Sequence, residues 1–292
     1  MSNINKVPAS AGAEWLLAGF ALLRRAPVGL GMLGMLWGLL SLLLMLVAVL
    51  APPMLMAMQF LLVLAGPLLF AGMIWAVREV DHGRPPLPSN LLQGLRDGHA
   101  PKLLATLLPQ VAAGIVLGAL LLAMVGTDQL KQLADVWMQM QAIAEAGGQP
   151  DPSLVEELPA GRLLLWLLLV ALTFVAVKWM TFVAAPQIVF SGAQAWTAMR
   201  TSLRACARNW TAMLVFYLLA GIAIFAITLG LLLLTSLVQL IGGATLALLV
   251  WQLLLMAVLM PVLAGAMYTA WRQMLAGADT SVAASAPSRI EV

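Results

Sequence analysis

Six stretches of this chain run for more than twenty residues with at most one charged side chain, at about 28–50, 54–77, 103–126, 163–187, 211–238 and 243–270. A hydrocarbon core about 30 Å thick takes about 20 helical residues to cross. No water is present there to satisfy the backbone, so only helices and closed barrels can span it. Barrel strands would appear as ~10-residue segments of alternating character, and these runs neither alternate nor stop at ten. The sequence therefore predicts an all-α polytopic membrane bundle of six transmembrane helices. The first run follows Arg24 and Arg25, as a signal peptide does. It exceeds the usual 7–15 residue apolar core of such peptides and reads as an anchor.

Composition agrees and narrows the function classes. The chain is 63% hydrophobic and 9% charged, where soluble domains hold about 45–50% apolar and 25% charged residues. Its mean hydropathy is +1.00. Residues 1–276 read as a single membrane domain with an external loop at about 127–161, and 277–292, small and polar, as a disordered cytoplasmic tail. No soluble basic domain remains to bind nucleic acid, and no GxxxxGK[ST] loop marks an ATPase.

Lysine and arginine in alternate loops set the orientation. With a cytoplasmic N-terminus, thirteen of the fifteen fall on that side and only Lys131 and Arg162 on the other. Both termini are then cytoplasmic. The net charge of +3 conceals a basic inner face suited to anionic lipid headgroups. The outer loop is acidic, and Leu130, Leu133, Trp137, Met140 and Ala144 recur three and four apart within it. That spacing predicts an amphipathic helix over about 128–146, ended by Gly147-Gly148.

One phrase is written twice: PLLFAGMIWAVR at Pro67–Arg78 and PVLAGAMYTAWR at Pro261–Arg272. The prolines lie about 16 Å before their arginines, close to mid-membrane, and each frees the carbonyl four residues earlier. Pro67, Pro186 and Pro261 are thus predicted helix kinks, with Trp75 and Trp271 at the interface. Short arginine-bearing helices precede the odd-numbered spans in EWLLAGFALLRRAP, NLLQGLRDGHAP and AWTAMRTSLRACARNW. The reading is three repeats, each an interfacial helix followed by a transmembrane hairpin.

The stretches AWTAMRTSLRACARNWTAML and DHGRPPLPSNLLQGLR resemble the uncharacterised six-helix inner-membrane protein families of proteobacteria. Those are distantly similar to the membrane domain of some glycerophosphodiester phosphodiesterases. The resemblance implies a bacterial inner-membrane location and no established activity, and no phosphodiesterase domain accompanies it.

Candidate chemistry is sparse. Lys178 lies inside the fourth run, where an amine is costly and is by default a functional candidate; snorkelling to the interface is its structural alternative. No acidic residue lies in any run, so a buried ammonium would turn to Gln59, Gln110, Gln252, a proline-freed carbonyl or an anionic ligand. These four residues form the candidate ligand-binding set. His82 and His99 share a loop with Glu79, Asp81 and Asp97, but nothing matches HExxH, so no metal and no cofactor is expected. Cys206 stands alone and forms no internal disulfide. Gly34–Gly38 and Gly114–Gly118 permit close helix contact. Without an acid pair or a nucleophile–base pair at membrane depth, the sequence predicts a non-enzymatic protein handling lipid or a small anionic solute. Its partners are then membrane lipids, other membrane proteins or copies of itself. The alternative is a structural or accessory subunit of a membrane complex.

Overall fold

The computed structural model describes residues 4–148 and 159–275, and every regular element among them is helical. In chain order these are α1 (Ala11–Arg25), α2 (Pro27–Leu50), α3 (Leu55–Asp81), α4 (Gln93–Arg96), α5 (Ala100–Leu104), α6 (Leu108–Val125), α7 (Thr127–Glu145), α8 (Ala160–Thr181), α9 (Ala184–Ser191), α10 (Ala195–Arg208) and α11 (Trp210–Met274). The chain divides into two compact units, Met1–Leu107 with Trp179–Val292, and Leu108–Lys178. Five helical stretches are long and apolar enough to cross a membrane: Pro27–Val47, Pro52–Asp81, Ala100–Val125, Ala160–Ser191 and Trp210–Met274. The predicted disordered tail lies outside the described residues.

The last stretch is not one rod. Straight, its 65 residues would extend for about 98 Å. Gly243 interrupts it at φ 78°, ψ 173°, a backbone region that only glycine enters without strain. Ala212, Met213 and Phe216 near its start share one buried cluster with Val262, Ala266, Ala270 and Met274 near its end. The chain therefore doubles back at Gly243, where the sixth apolar run was expected to begin.

In the first unit the core is built where short helices cross long ones. α1 crosses the second half of α11: a Cβ placed on Gly19 would lie 2.3 Å from the Val262 carbonyl oxygen. The short helical turn Pro88–Leu92 crosses α3 at Gly72, where a Cβ would lie 2.3 Å from the Leu91 oxygen. α10 crosses the junction of α8 and α9. There the Ser202 hydroxyl donates to the Trp179 carbonyl at 2.6 Å and accepts from the Val183 amide at 3.1 Å. Trp15, Phe182 and Phe216 fill the space between, with ring centroids 5.2–6.2 Å apart.

Pro67 and Pro261 sit inside helices as expected. Pro186 does not kink an unbroken helix. α8 ends at Thr181, and Pro186 is the third residue of α9, a first-turn position where its missing N–H would have had no intrahelical partner anyway. The ring's clash with the carbonyl four residues earlier falls on Phe182, in the break itself. Of the two glycine pairs, Gly34 and Gly38 pack on Met256 and its neighbours, whereas Gly114 and Gly118 have nothing within 4 Å.

In the second unit Gly126, at φ 87°, turns α6 into α7. The hairpin of α6 and α8 is tied by the Trp166 indole donating to the Leu117 carbonyl at 3.0 Å. Arg162 donates to the Met124 carbonyl at 3.3 Å. α7 begins within a residue of the predicted start, and Gly147 at φ 71° follows it.

Candidate functional site

The four candidate residues separate into two pairs. Gln110 and Lys178 line one groove between α6 and α8 with Ala113, Gly114, Thr173 and Phe174. The Lys178 ammonium sits 5.2 Å from the Phe174 ring centroid, a cation–π distance. Three residues after Lys178 the helix ends, and the next residue, Trp179, holds Ser202 of the short helix α10. The amine thus sits at the end of an apolar helix rather than at its centre. That geometry suits a lysine whose stem is buried and whose head reaches the interface.

Gln59 and Gln252 line a second, larger groove of about 770 Å³ among α2, α3 and the second half of α11. Ser41, Thr245 and Trp251 join them on an otherwise apolar wall of Leu, Met and Val. Ser41 is occupied with its own helix, donating to the Trp37 carbonyl at 3.1 Å. Among the described residues neither glutamine amide has a hydrogen-bond partner, and the buried Trp251 Nε1–H has no acceptor. Gln59 is four residues into α3 and Gln252 nine past the Gly243 turn, so they lie about 6 Å and 14 Å from those helix starts. Gln59 is exposed and Gln252 half-buried on the groove wall, and in hydrocarbon an amide left without a partner there would be costly. The groove offers donors and acceptors without charge, suited to ester carbonyls or hydroxyls lying over an alkyl chain.

Sequence reading placed Gln59 and Gln252 in one list with Lys178, because nothing in a linear pattern tells which glutamines meet. It missed Trp251, whose significance comes only from its lack of an acceptor. It also left Asp81 as a loop residue. Asp81 accepts from Arg272 at 2.5 Å and from the Tyr268 hydroxyl at 3.2 Å, with Arg25 3.8 Å away, and so joins α1, α3 and α11. Glu79 pairs with Arg84, and His82 Nδ1 lies 2.7 Å from the Arg78 carbonyl oxygen. Among the described residues no three of His, Cys, Asp and Glu gather as metal ligands would.

Cys206 is fully buried on α10. Burial pushes its thiol up to about 12, with a Ser202 hydrogen bond pulling weakly the other way. Such a thiol carries almost no thiolate at neutral pH and is a poor nucleophile. No protein-family model, curated protein or solved structure matches the chain.

Proposed function

We propose that the protein is a multi-pass membrane protein of a bacterial inner membrane that holds lipid without chemically transforming it. The observation that carries this reading is the groove of Gln59, Trp251 and Gln252, three polar groups without protein partners inside a mostly apolar wall. In water such a groove would be a poor site. In a bilayer it accepts an acyl chain along its length while the amides meet the polar atoms of the glycerol region. Six spans in three repeats, with both termini cytoplasmic, complete the proposal. It is supported by the reversal at Gly243, by the 13-to-2 distribution of basic residues, and by the three crossings. The three crossings are those of α1 on α11, of Pro88–Leu92 on α3 and of α10 on Trp179.

Purification in mild detergent followed by native mass spectrometry tests it. Wild type should retain a stoichiometric lipid that Gln59→Leu/Gln252→Leu loses at unchanged melting temperature. Equal lipid retention by the double variant sinks the reading. A second reading, a subunit of a larger complex, is favoured by one observation: the spanning window of Ala160–Ser191 is 0% buried. Copurification of a fixed protein partner would select it.

A further inference from the structure

The chain uses many of its inner-face cations internally. Arg25 and Arg272 meet Asp81, Arg84 meets Glu79, Arg78 lies over the Trp75 and Phe190 rings, and Lys102 donates to the Gly192 carbonyl. α10 differs. Its one face, Ala198, Ser202, Ala205 and Cys206, is buried against the rest of the unit. The other carries Arg200, Arg204 and Arg208, all exposed. Among the described residues no carboxylate lies within 4.0 Å of any of the three.

Spacing makes these three a strip. Four-residue steps advance a helix by about 40° each, so consecutive arginines stay on one side and rise about 6 Å apart. Trp196, one further step back, is 61% exposed, and Trp210, two residues past Arg208, is 57% exposed. Two large indoles left this open beside guanidiniums do not suit a face in bulk water. They suit the boundary of hydrocarbon and headgroups, where tryptophan is enriched. Ser202 pins the buried side to the ends of α8 and α9, so the strip is held at the end of an apolar span rather than on a free loop.

We infer that the outer face of α10, from Trp196 through Arg200, Arg204 and Arg208, is a binding strip for the phosphates of anionic phospholipids in the leaflet it faces. Each guanidinium donates to phosphate oxygens in a bidentate fork, while Trp196 packs on the acyl–glycerol boundary. Phosphate is common to all phospholipids, so the discrimination comes from net headgroup charge: three cations favour phosphatidylglycerol or cardiolipin over zwitterionic phosphatidylethanolamine. The strip is separate from the Gln59–Gln252 groove and does not depend on it.

The test is competition in nanodiscs of mixed phosphatidylglycerol and phosphatidylethanolamine, with the annular lipid retained on detergent extraction counted by mass spectrometry. Wild type should enrich phosphatidylglycerol, and Arg200→Gln/Arg204→Gln/Arg208→Gln should lower that enrichment by roughly tenfold or more. The triple lysine variant should keep most of it, because charge is preserved. Enrichment in the glutamine variant equal to wild type overturns the inference, as does equal loss of both lipids. An unchanged lipid profile with loss of a copurifying acidic protein overturns it in favour of a protein-docking face.

Discussion

Gly19 of α1 and Gly265 of α11 cross backbone to backbone: a Cβ on Gly265 would stand 2.8 Å from the Gly19 Cα. Their contact brings the N-terminal helix onto the last helix of the chain. Asn5 supports it nearby, its amide donating to the Met274 carbonyl at 2.9 Å. The Trp15 indole adds a 2.7 Å hydrogen bond to the Gln273 side chain.

Gly19→Ala should therefore destabilise the protein. Its methyl would meet the Val262 carbonyl oxygen at 2.3 Å, and backbone cannot step aside as a flexible side chain does. The expected loss is about 1–3 kcal/mol, the range for overpacked sites. Gly114→Ala, with nothing within 4 Å, should be neutral or slightly stabilising. Thermal unfolding of the two variants in one detergent checks the difference, and equal melting temperatures would remove the close crossing.

Gly243 gives a second contrast. Its φ of 78° and ψ of 173° cost a residue with a Cβ about 1–3 kcal/mol. Gly230 lies in regular helix with open space around it, where alanine gains about 0.5–1 kcal/mol. Gly243→Ala should lower folded yield and melting temperature, and Gly230→Ala should raise the latter. Opposite signs from two glycine-to-alanine changes thirteen residues apart are hard to obtain unless the helix is broken at the first and continuous at the second.

Much of this was legible in the sequence, because hydropathy and length report directly on membrane helices. The apolar runs at 28–50 and 54–77 lie on α2 and α3, and the gap between 238 and 243 marks the reversal within five residues. At Pro186 the helix is interrupted rather than bent, at Phe182–Val183, next to the carbonyl that the proline was expected to free. The site was less legible. Gln59, Gln110, Gln252 and Lys178 were conspicuous as polar residues in apolar runs, yet their pairing is tertiary: α2, α3 and α11 bring two together across nearly two hundred residues. The crossings of α1 and α10 were equally invisible, because a glycine or serine at a contact looks like any other small residue.

Cys206 offers a pH prediction. An unfolded thiol ionises near 8.5, the folded one at about 12 because burial disfavours the thiolate. Between those values the folded state holds a proton that the unfolded state has lost. The contribution to stability is thus full below about pH 8.5 and declines as pH rises toward the folded value. At pH 8 native protein should react with iodoacetamide on the order of a thousandfold more slowly than unfolded protein. Denaturation should abolish the protection, and rapid labelling of the native protein would contradict the burial of Cys206 on the inner face of α10.

The inert thiol makes the native chain a clean background for placing the spans. In the six-span proposal, cysteines at Gln141 on α7 and at Gln239 just before the Gly243 turn face one side of the membrane. Cysteines at Leu95 and Gln194 face the other, with the thirteen basic residues. All four positions are exposed, so access to reagent depends on the membrane rather than on packing. A membrane-impermeant maleimide added to intact cells should label Gln141→Cys and Gln239→Cys, and should reach Leu95→Cys and Gln194→Cys only after permeabilisation. The decisive position is Gln239. If Trp210–Met274 crossed once, residue 239 would be unreactive from outside, and Gln273→Cys near its end would lie on the side opposite to Gln194→Cys. Two crossings instead put Gln273 and Gln194 on one side, the outcome expected where Phe216 and Ala266, near the two helix ends, share one buried cluster.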